Sequence, residues 1–322
     1  MTPRHALATG TLFALAAGLM WGLVFVAPLL LPAYPAALLS FGRYLAFGVI
    51  ALPLAWLDRR RIAELTRGDW LEAAKLALVG NLVYYLCLAA AIQRAGAPLP
   101  TMIIGTLPVV IAITSNRRDG ARDGRLRWRQ LLPSLALIGG GIALVNHAEM
   151  QQRPAHADAA RYAVGALLAL GALVCWTWYP LRNADWLRHH PGRSPRTWAT
   201  AQGIATLPLA AVGFALFWLV APPALPMPLG PTPWRFVALM AVIGLFASWL
   251  GTLCWNEASQ RLPTSLAGQL IVFETLSALA YAFVLRGALP PAATAGGIVM
   301  LVAGVAWALR ARPAPLAAVH AA

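Results

Sequence analysis

Ten apolar stretches fill most of this 322-residue chain, and each is about 18–24 residues long. An α-helix of that length crosses a hydrocarbon core of roughly 30 Å. Because no water inside a bilayer can satisfy exposed backbone groups, such segments must be helices that pack as a bundle. The sequence therefore predicts an all-α, polytopic membrane protein with ten transmembrane helices, at residues 9–28, 36–57, 69–92, 97–116, 130–147, 162–181, 197–220, 234–256, 263–286 and 290–310.

The composition agrees with this class and leaves no room for a separate soluble domain. The chain is 60% hydrophobic and only 11% charged, which suits a membrane protein and excludes a disordered or fibrous chain. The three cysteines, Cys87, Cys175 and Cys254, fall inside predicted spans, where they are expected to pack as small core residues. We therefore expect neither a disulfide set nor a metal cluster, and no cofactor.

Positive charge gathers in every second loop between the predicted spans. Basic residues cluster at 59–67, 117–129 and 182–196, whereas the alternate loops hold few of them. This asymmetry follows the positive-inside rule, and it predicts a bacterial-type inner-membrane protein with both termini in the cytoplasm. The formal net charge of +14 reflects this topology and does not indicate a nucleic-acid partner. The expected partners are the lipid bilayer and a small substrate, while the oligomeric state is left open.

Two short sequence pairs recur at the same distance along the chain. Leu86-Cys87 and Gln93-Arg94 return 167 residues later as Leu253-Cys254 and Gln260-Arg261. Since half of ten is an odd number, a second repeat of five helices must enter the membrane upside down. Inverted repeats are typical of secondary transporters, whose substrate site lies near the membrane midplane. We therefore predict two inverted five-helix repeats, which comprise residues 1–150 and 151–322.

Two charged residues and a proline lie deep inside predicted spans. Glu274 is about eleven residues into its span, or roughly 16 Å at 1.5 Å per residue, where an unpaired charge is costly. It is either a carboxylate linked to a proton or a substrate, or a buried structural acid. Arg43 either binds a substrate carboxylate or caps neighbouring carbonyls, and we assign it a gating or structural role. Pro108 is expected to kink its helix, either to line a site or only for packing.

Aromatic and amide side chains complete the candidate site. Trp21, Tyr84 and Trp176 lie within spans, away from the interfaces where such residues usually collect. Facing inward, they would form an apolar cavity with few polar groups, although ordinary helix packing explains each of them equally well. The candidate substrate-binding residues are Trp21, Tyr84, Trp176, Asn256, Gln269 and Glu274, and the candidate gating or structural residues are Arg43 and Pro108.

Short motifs occur in the second, fourth and ninth predicted spans, and glycines in the fifth and tenth. They are Phe41-Gly42-Arg43-Tyr44, Leu107-Pro108-Val109, Phe273-Glu274-Thr275, Gly140 and Gly304. In these motifs the chain resembles the EamA branch of the drug/metabolite transporter superfamily, which implies a five-helix repeat taken twice in inverted topology. Trp255-Asn256, followed by Phe273, is similar to the amino-acid exporters of the YddG type. The chain departs from the family pattern at Leu107, which replaces a glutamate, and at Thr275, which replaces a proline.

These features predict a secondary transporter that exports amino acids, both aromatic and other neutral ones, and related metabolites by alternating access. A multidrug or cation exporter of the same fold is the alternative. The sequence has no phosphate-binding loop to indicate direct use of ATP, and no His-Glu-x-x-His motif. We therefore do not predict an enzyme, and the lack of a charged ring or filter loop argues against a channel.

Overall fold

The structure, a computed structural model, describes residues 3–96, 98–118, 128–151, 159–287, 289–308 and 310. All regular secondary structure within these ranges is helical, as the sequence predicts. The first half of the chain contains α1 (Pro3–Trp21), α2 (Leu23–Leu30), α3 (Ala36–Leu57), α4 (Arg59–Ala63), α5 (Arg67–Leu76), α6 (Tyr84–Ala95), α7 (Pro98–Ile104), α8 (Leu107–Arg118) and α9 (Trp128–Gln151). The second half contains α10 (Ala159–His189), α11 (Pro195–Val220), α12 (Pro233–Ile243), α13 (Gly251–Arg261), α14 (Thr264–Leu270), α15 (Val272–Arg286) and α16 (Ala292–Ala308).

Seven helical stretches in the described ranges are long and apolar enough to cross a membrane. They are His5–Leu30, Ala36–Leu57, Arg67–Ala95, Ala159–His189, Pro195–Val220, Pro233–Arg261 and Leu266–Leu285, and each coincides with one predicted span. The predicted spans 97–116, 130–147 and 290–310 also coincide with helices, namely α7 with α8, α9, and α16. Residues 119–127, which include three of the clustered arginines, both chain termini (1–2 and 311–322), residues 152–158 and 288, and positions 97 and 309 of two predicted spans lie outside the described residues.

Large apolar side chains cover the outside of the helix bundle. Leu219, Val284 and Trp234 are exposed by 82%, 79% and 86%. The polar side chains of Asn183 and Gln202 are fully buried instead. An apolar surface of this extent is unusual on a soluble monomer and suits contact with lipid, so the distribution agrees with a multi-pass membrane protein.

Two π-helical segments occupy matching places in the chain. Ala77–Val83 joins α5 to α6, and Gly244–Leu250 joins α12 to α13, 167 residues later. A π-helical turn holds an extra residue and occurs frequently at functional sites. Tyr84 follows the first segment directly, and Gly251, against which the ring of Trp21 packs, follows the second. Each π-helical segment is therefore followed directly by a residue that belongs to, or contacts, a buried aromatic ring: Tyr84 after the first segment and Gly251, beside Trp21, after the second.

Helices from the two halves of the chain interlock. α1 packs against α13 and α15, whereas α10 packs against α6, α7 and α8. α3 packs against α11 and the second π-helical segment, and α11 also packs against the first. α9 pairs with α16, and α8 pairs with α14. One large apolar core runs through both halves, so neither half buries its apolar faces alone.

A stripe of small residues lets α1 approach the second half closely. A Cβ atom at Gly18 would lie 3.0 Å from the backbone nitrogen of Glu274, and one at Gly22 would lie 2.6 Å from the Cβ atom of Ser277. Helix backbones approach this closely only where side chains are absent, so glycine is required at both positions. The contact places Trp21, between the two glycines, inside the bundle.

We predict that Gly22→Ala lowers the free energy of unfolding by about 1–3 kcal/mol, because the added methyl group overpacks the contact with Ser277. Gly139→Ala is the matched control, since a Cβ atom at Gly139 has no neighbour within 4 Å. Helix propensity makes that control neutral or slightly stabilising. Denaturant titration of the purified proteins in detergent measures both effects, and an equal response of the two variants would contradict the packing described here.

Candidate functional site

A local distortion in the ninth predicted span positions Glu274. α14 ends at Leu270 and α15 begins at Val272, but Ile271 between them keeps helical backbone angles (φ −56°, ψ −27°), so the chain continues as the single helical stretch Leu266–Leu285. The backbone N–H of Glu274 donates to the carbonyl of Ile271, three residues back, at 2.9 Å. This is the tighter hydrogen-bond pattern of a 3₁₀ turn, and Glu274 lies in the first turn after the distortion.

The fourth predicted span is distorted in a similar way. α7 ends at Ile104, the turn passes through Gly105 and Thr106, and α8 begins at Leu107. Pro108 therefore lies in the first turn of a new helix, where a missing N–H costs no hydrogen bond and the fixed φ is favourable. The distortion lies at Gly105 and Thr106, in the turn that precedes the proline, and i→i−4 hydrogen bonds continue on both sides of it, from Gly105 to Thr101 and from Val110 to Thr106.

Five aromatic rings from four helices form a buried group, which we call the aromatic cluster. Trp21 lies 5.0 Å from Trp176 and 5.2 Å from Trp255 between ring centroids. Tyr84 stacks on Trp176 at 4.4 Å, and Tyr179 stacks on it at 5.2 Å. All five side chains are buried. Trp176 is thus the centre of the cluster, with contacts to α1, α6 and its own helix α10.

The Glu274 carboxylate joins the aromatic cluster through one oxygen. Trp176 Nε1 donates to Glu274 Oε2 at 3.3 Å, while Oε1 has no hydrogen-bond partner. The Tyr84 hydroxyl lies near the carboxylate but does not reach hydrogen-bond geometry. In the described part of the chain no basic side chain forms an ion pair with Glu274, although the residue is only 1% exposed.

Arg43 is the second buried charge, and the second π-helical segment holds its guanidinium. Arg43 Nε donates to Ser248 Oγ at 3.0 Å, and Nη2 donates to the carbonyl of Ala247 at 3.3 Å. The guanidinium carbon lies 4.8 Å from the Tyr44 ring centroid and 4.6 Å from that of Tyr85, which adds cation–π attraction. Arg43 Nη1 has no partner.

Four polar atoms in this region are buried without a hydrogen bond. They are Arg43 Nη1, the Tyr84 hydroxyl, Trp255 Nε1 and Glu274 Oε1, which come from α3, α6, α13 and α15. Each unsatisfied buried group costs about 1–3 kcal/mol, and more when it is charged. Unpaired polar groups beside apolar rings are the usual character of a ligand site, so the aromatic cluster with these four atoms is the candidate site.

The other predicted residues bond elsewhere. Asn183 Nδ2 donates to Asn256 Oδ1 at 2.8 Å, and Asn256 Nδ2 donates to the carbonyl of Pro195. Gln269 Oε1 accepts from Ser134 Oγ at 3.0 Å, at the contact between α14 and α9. Among the predicted residues, the structure thus brings together Trp21, Tyr84, Trp176 and Glu274 with Arg43 nearby, and it places Asn256, Gln269 and Pro108 in other contacts.

Two members of the aromatic cluster, Tyr179 and Trp255, are not among the substrate-binding residues that the sequence predicts. Tyr179 follows Trp176 by three residues, so the spacing on α10 already indicates a shared face. Trp255 directly precedes Asn256. The sequence prediction selected Asn256 for its polar amide group and did not select Trp255. Tyr179 also links the cluster to a chain of buried amides, because its hydroxyl donates to Gln202 Oε1 at 2.8 Å and Gln202 Nε2 donates to Asn183 Oδ1.

We predict that Tyr84→Phe leaves the melting temperature unchanged or raises it, because the lost hydroxyl has no hydrogen-bond partner in the structure. Tyr179→Phe is the matched comparison, since its loss leaves Gln202 Oε1 with one partner fewer and is expected to destabilise by about 1–2 kcal/mol. Thermal unfolding of both variants in one detergent measures the difference. A larger loss for Tyr84→Phe than for Tyr179→Phe would contradict the assignment of an unpartnered hydroxyl.

Comparison with known proteins finds a relative that is similar in sequence and a solved structure that is similar in fold. Residues 8–147 match the EamA-like transporter family. The chain is 54% identical over 308 residues to the inner membrane protein YtfF of Escherichia coli (strain K12), across 95% of this chain and 96% of that protein. A crystal structure, 20% identical, matches 93% of this chain and 96% of its own with a TM-score of 0.69, which shows the fold alone. The chain belongs to the EamA-like transporter family.

Proposed function

We propose that the protein is a secondary transporter that exports amino acids, both aromatic and other neutral ones, and related metabolites across the inner membrane by alternating access. The observation that carries this proposal is the aromatic cluster, which is enclosed between the two halves and surrounded by unpaired polar atoms. Aromatic rings offer a large apolar surface, and a few polar atoms fix the orientation of a small ligand. The family supports the class of transporter, and the cluster supports the kind of substrate.

We propose that residues 1–150 and 151–322 form two inverted five-helix repeats. The contacts between the halves support this arrangement, because the first helix of each half packs against the third and fourth spans of the other half. α1 packs against α13 and α15, and α10 packs against α6 and the pair α7 and α8. The two π-helical segments, 167 residues apart, support it as well. Gln93 and Gln260 have the same separation, and their amides donate to the carbonyls of Tyr34 and Arg193, each in the loop that precedes the second helix of its repeat.

Contacts at both ends of the bundle support an alternating-access cycle. At one end the Tyr34 hydroxyl donates to the carbonyl of Leu229 at 2.9 Å and accepts from the Thr232 N–H at 2.8 Å. At the other end Arg193 donates to Glu64 Oε2 at 3.0 Å. By the positive-inside rule the Arg193 end faces the cytoplasm. Opening one end while the other stays closed would expose the cluster to one side at a time.

A multidrug or cation exporter is the second candidate, and one observation favours it. Glu274 offers an unpaired carboxylate oxygen beside stacked rings, and both carboxylates and aromatic faces attract organic cations. The two candidates differ in what they require of Arg43, because a buried guanidinium repels a cation. Transport measurements with both classes of compound therefore separate the two functions.

We predict that proteoliposomes containing the protein exchange labelled threonine, methionine and phenylalanine in counterflow. Trp21→Ala is expected to lower this exchange at least about tenfold, since it removes the ring that contacts both Trp176 and Trp255. The matched control is Trp234→Ala, because Trp234 is 86% exposed on the outer surface. Competition by a lipophilic cationic dye but by no amino acid would support the second candidate and overturn the first.

We also predict that fixing either end in its closed state stops exchange. In a background lacking Cys87, Cys175 and Cys254, cysteines at Glu64 and Arg193 are joined by a short, reducible bifunctional reagent. Cysteines at Tyr34 and Thr232 are joined in the same way at the other end. Each cross-link should abolish counterflow, and reduction should restore it, because the cycle needs both ends to open. Full exchange with either end cross-linked would rule out alternating access across these contacts.

A further inference from the structure

Two opposite charges are buried in the candidate site, and they do not pair with each other. Arg43 is 4% exposed and Glu274 is 1% exposed. The two groups lie within electrostatic range, yet they form no ion pair. Each keeps one atom open, namely Nη1 of Arg43 and Oε1 of Glu274. A pair that served structure alone would gain most from direct contact, since a buried charge without a counter-charge is strongly destabilising.

Each charge is held in place by its own anchors, and these keep the two groups apart. Ser248 Oγ and the carbonyl of Ala247 hold Nε and Nη2 of Arg43. Trp176 Nε1 holds Oε2 of Glu274. The anchors leave one donor of the guanidinium, Nη1, and one acceptor of the carboxylate, Oε1, without a hydrogen-bond partner. The site therefore presents one cationic donor and one anionic acceptor, both already desolvated.

Resting on the proposed function, we propose that these two atoms select a zwitterion: Arg43 Nη1 binds the substrate carboxylate and Glu274 Oε1 binds its ammonium group. A zwitterion supplies both missing counter-charges and adds no net charge to the buried site. A simple amine or a simple acid supplies only one of the two counter-charges and leaves the other buried side chain unpaired. A mismatch of this kind is what makes polar binding sites specific. Trp255 Nε1 is a donor only, so it suits a carboxylate oxygen, and the rings of the aromatic cluster receive the side chain.

Three compounds that differ only in their charged ends test this proposal. Counterflow of labelled phenylalanine is measured with the wild-type protein against unlabelled phenylalanine, 2-phenylethylamine and 3-phenylpropanoate. All three carry the same ring, so contact with the aromatic cluster is constant. The amine and the acid are expected to compete at least about tenfold more weakly, because each leaves a buried charge unpaired. Equal competition by all three compounds would overturn the zwitterion assignment while leaving transport established.

Charge-neutral variants should change the order of preference in opposite directions. Glu274→Gln removes the partner of the ammonium group, so 3-phenylpropanoate should gain on phenylalanine. Arg43→Gln removes the partner of the carboxylate, so 2-phenylethylamine should gain. The matched controls are Glu257→Gln and Arg261→Gln, which break an ion pair near the end of α13 and should keep the wild-type order.

Each outcome of these experiments either supports or overturns the zwitterion proposal. If folded variants weaken all three compounds equally, the two charges do not recognise the substrate ends and the proposal is overturned. If the neutral variants do not fold, the wild-type competition still decides, and Glu274→Asp and Arg43→Lys, which keep the charges, should retain the preference for phenylalanine. If the wild-type protein moves no amino acid at all, the proposed function fails, and the assignment that rests on it fails too.

Discussion

The cost of burying two unpaired charges is the constraint on which the centre of this protein depends. The hydrocarbon core of a membrane offers a charged side chain neither water nor polar partners, so Arg43 and Glu274 persist only where other protein groups compensate them. The second π-helical segment, two aromatic rings and Trp176 supply part of that compensation. Arg43 Nη1 and Glu274 Oε1 keep no hydrogen-bond partner within the protein, and a substrate of matching charge would supply one to each. The same two buried side chains, Arg43 and Glu274, would then determine both how strongly a substrate binds and which substrate is selected.

The architecture explains how such a site is kept rigid. The distortion at Ile271 sets the place of Glu274, and Gly18 on α1 and Gly22 directly after it bring the first span against the same place. Trp176 connects both features, because it bonds the carboxylate and contacts rings from three helices. Arg43 comes from the first half of the chain, whereas its anchors Ser248 and Ala247 come from the second half. Relative movement of the halves would therefore alter the site, which is the coupling that an alternating-access transporter requires.

Hydropathy alone predicted the helices well, and it predicted α3 to the residue, at 36–57. Depth within a span also brought Trp21, Tyr84, Trp176 and Glu274 together as candidates. The distortion at Ile271 was not predicted, because neither proline nor glycine lies at that point in the chain. The amides of Asn256 and Gln269 bond to Asn183, Pro195 and Ser134, and their assignment to the site stays a prediction. The rotation of a helix decides which neighbour a side chain meets, and apolar composition on all faces hides that rotation.

The melting temperature of the purified wild-type protein, titrated with phenylalanine, 2-phenylethylamine and 3-phenylpropanoate in turn, tests the central claim most directly. A ligand that binds only the folded state stabilises it in proportion to the logarithm of its concentration above the dissociation constant. We predict that phenylalanine raises the melting temperature progressively with the logarithm of its concentration, and that the amine and the acid at equal concentration raise it much less. A rise as large with the amine alone, or no rise with phenylalanine at saturating concentrations, would contradict the account of two buried charges that await a zwitterion.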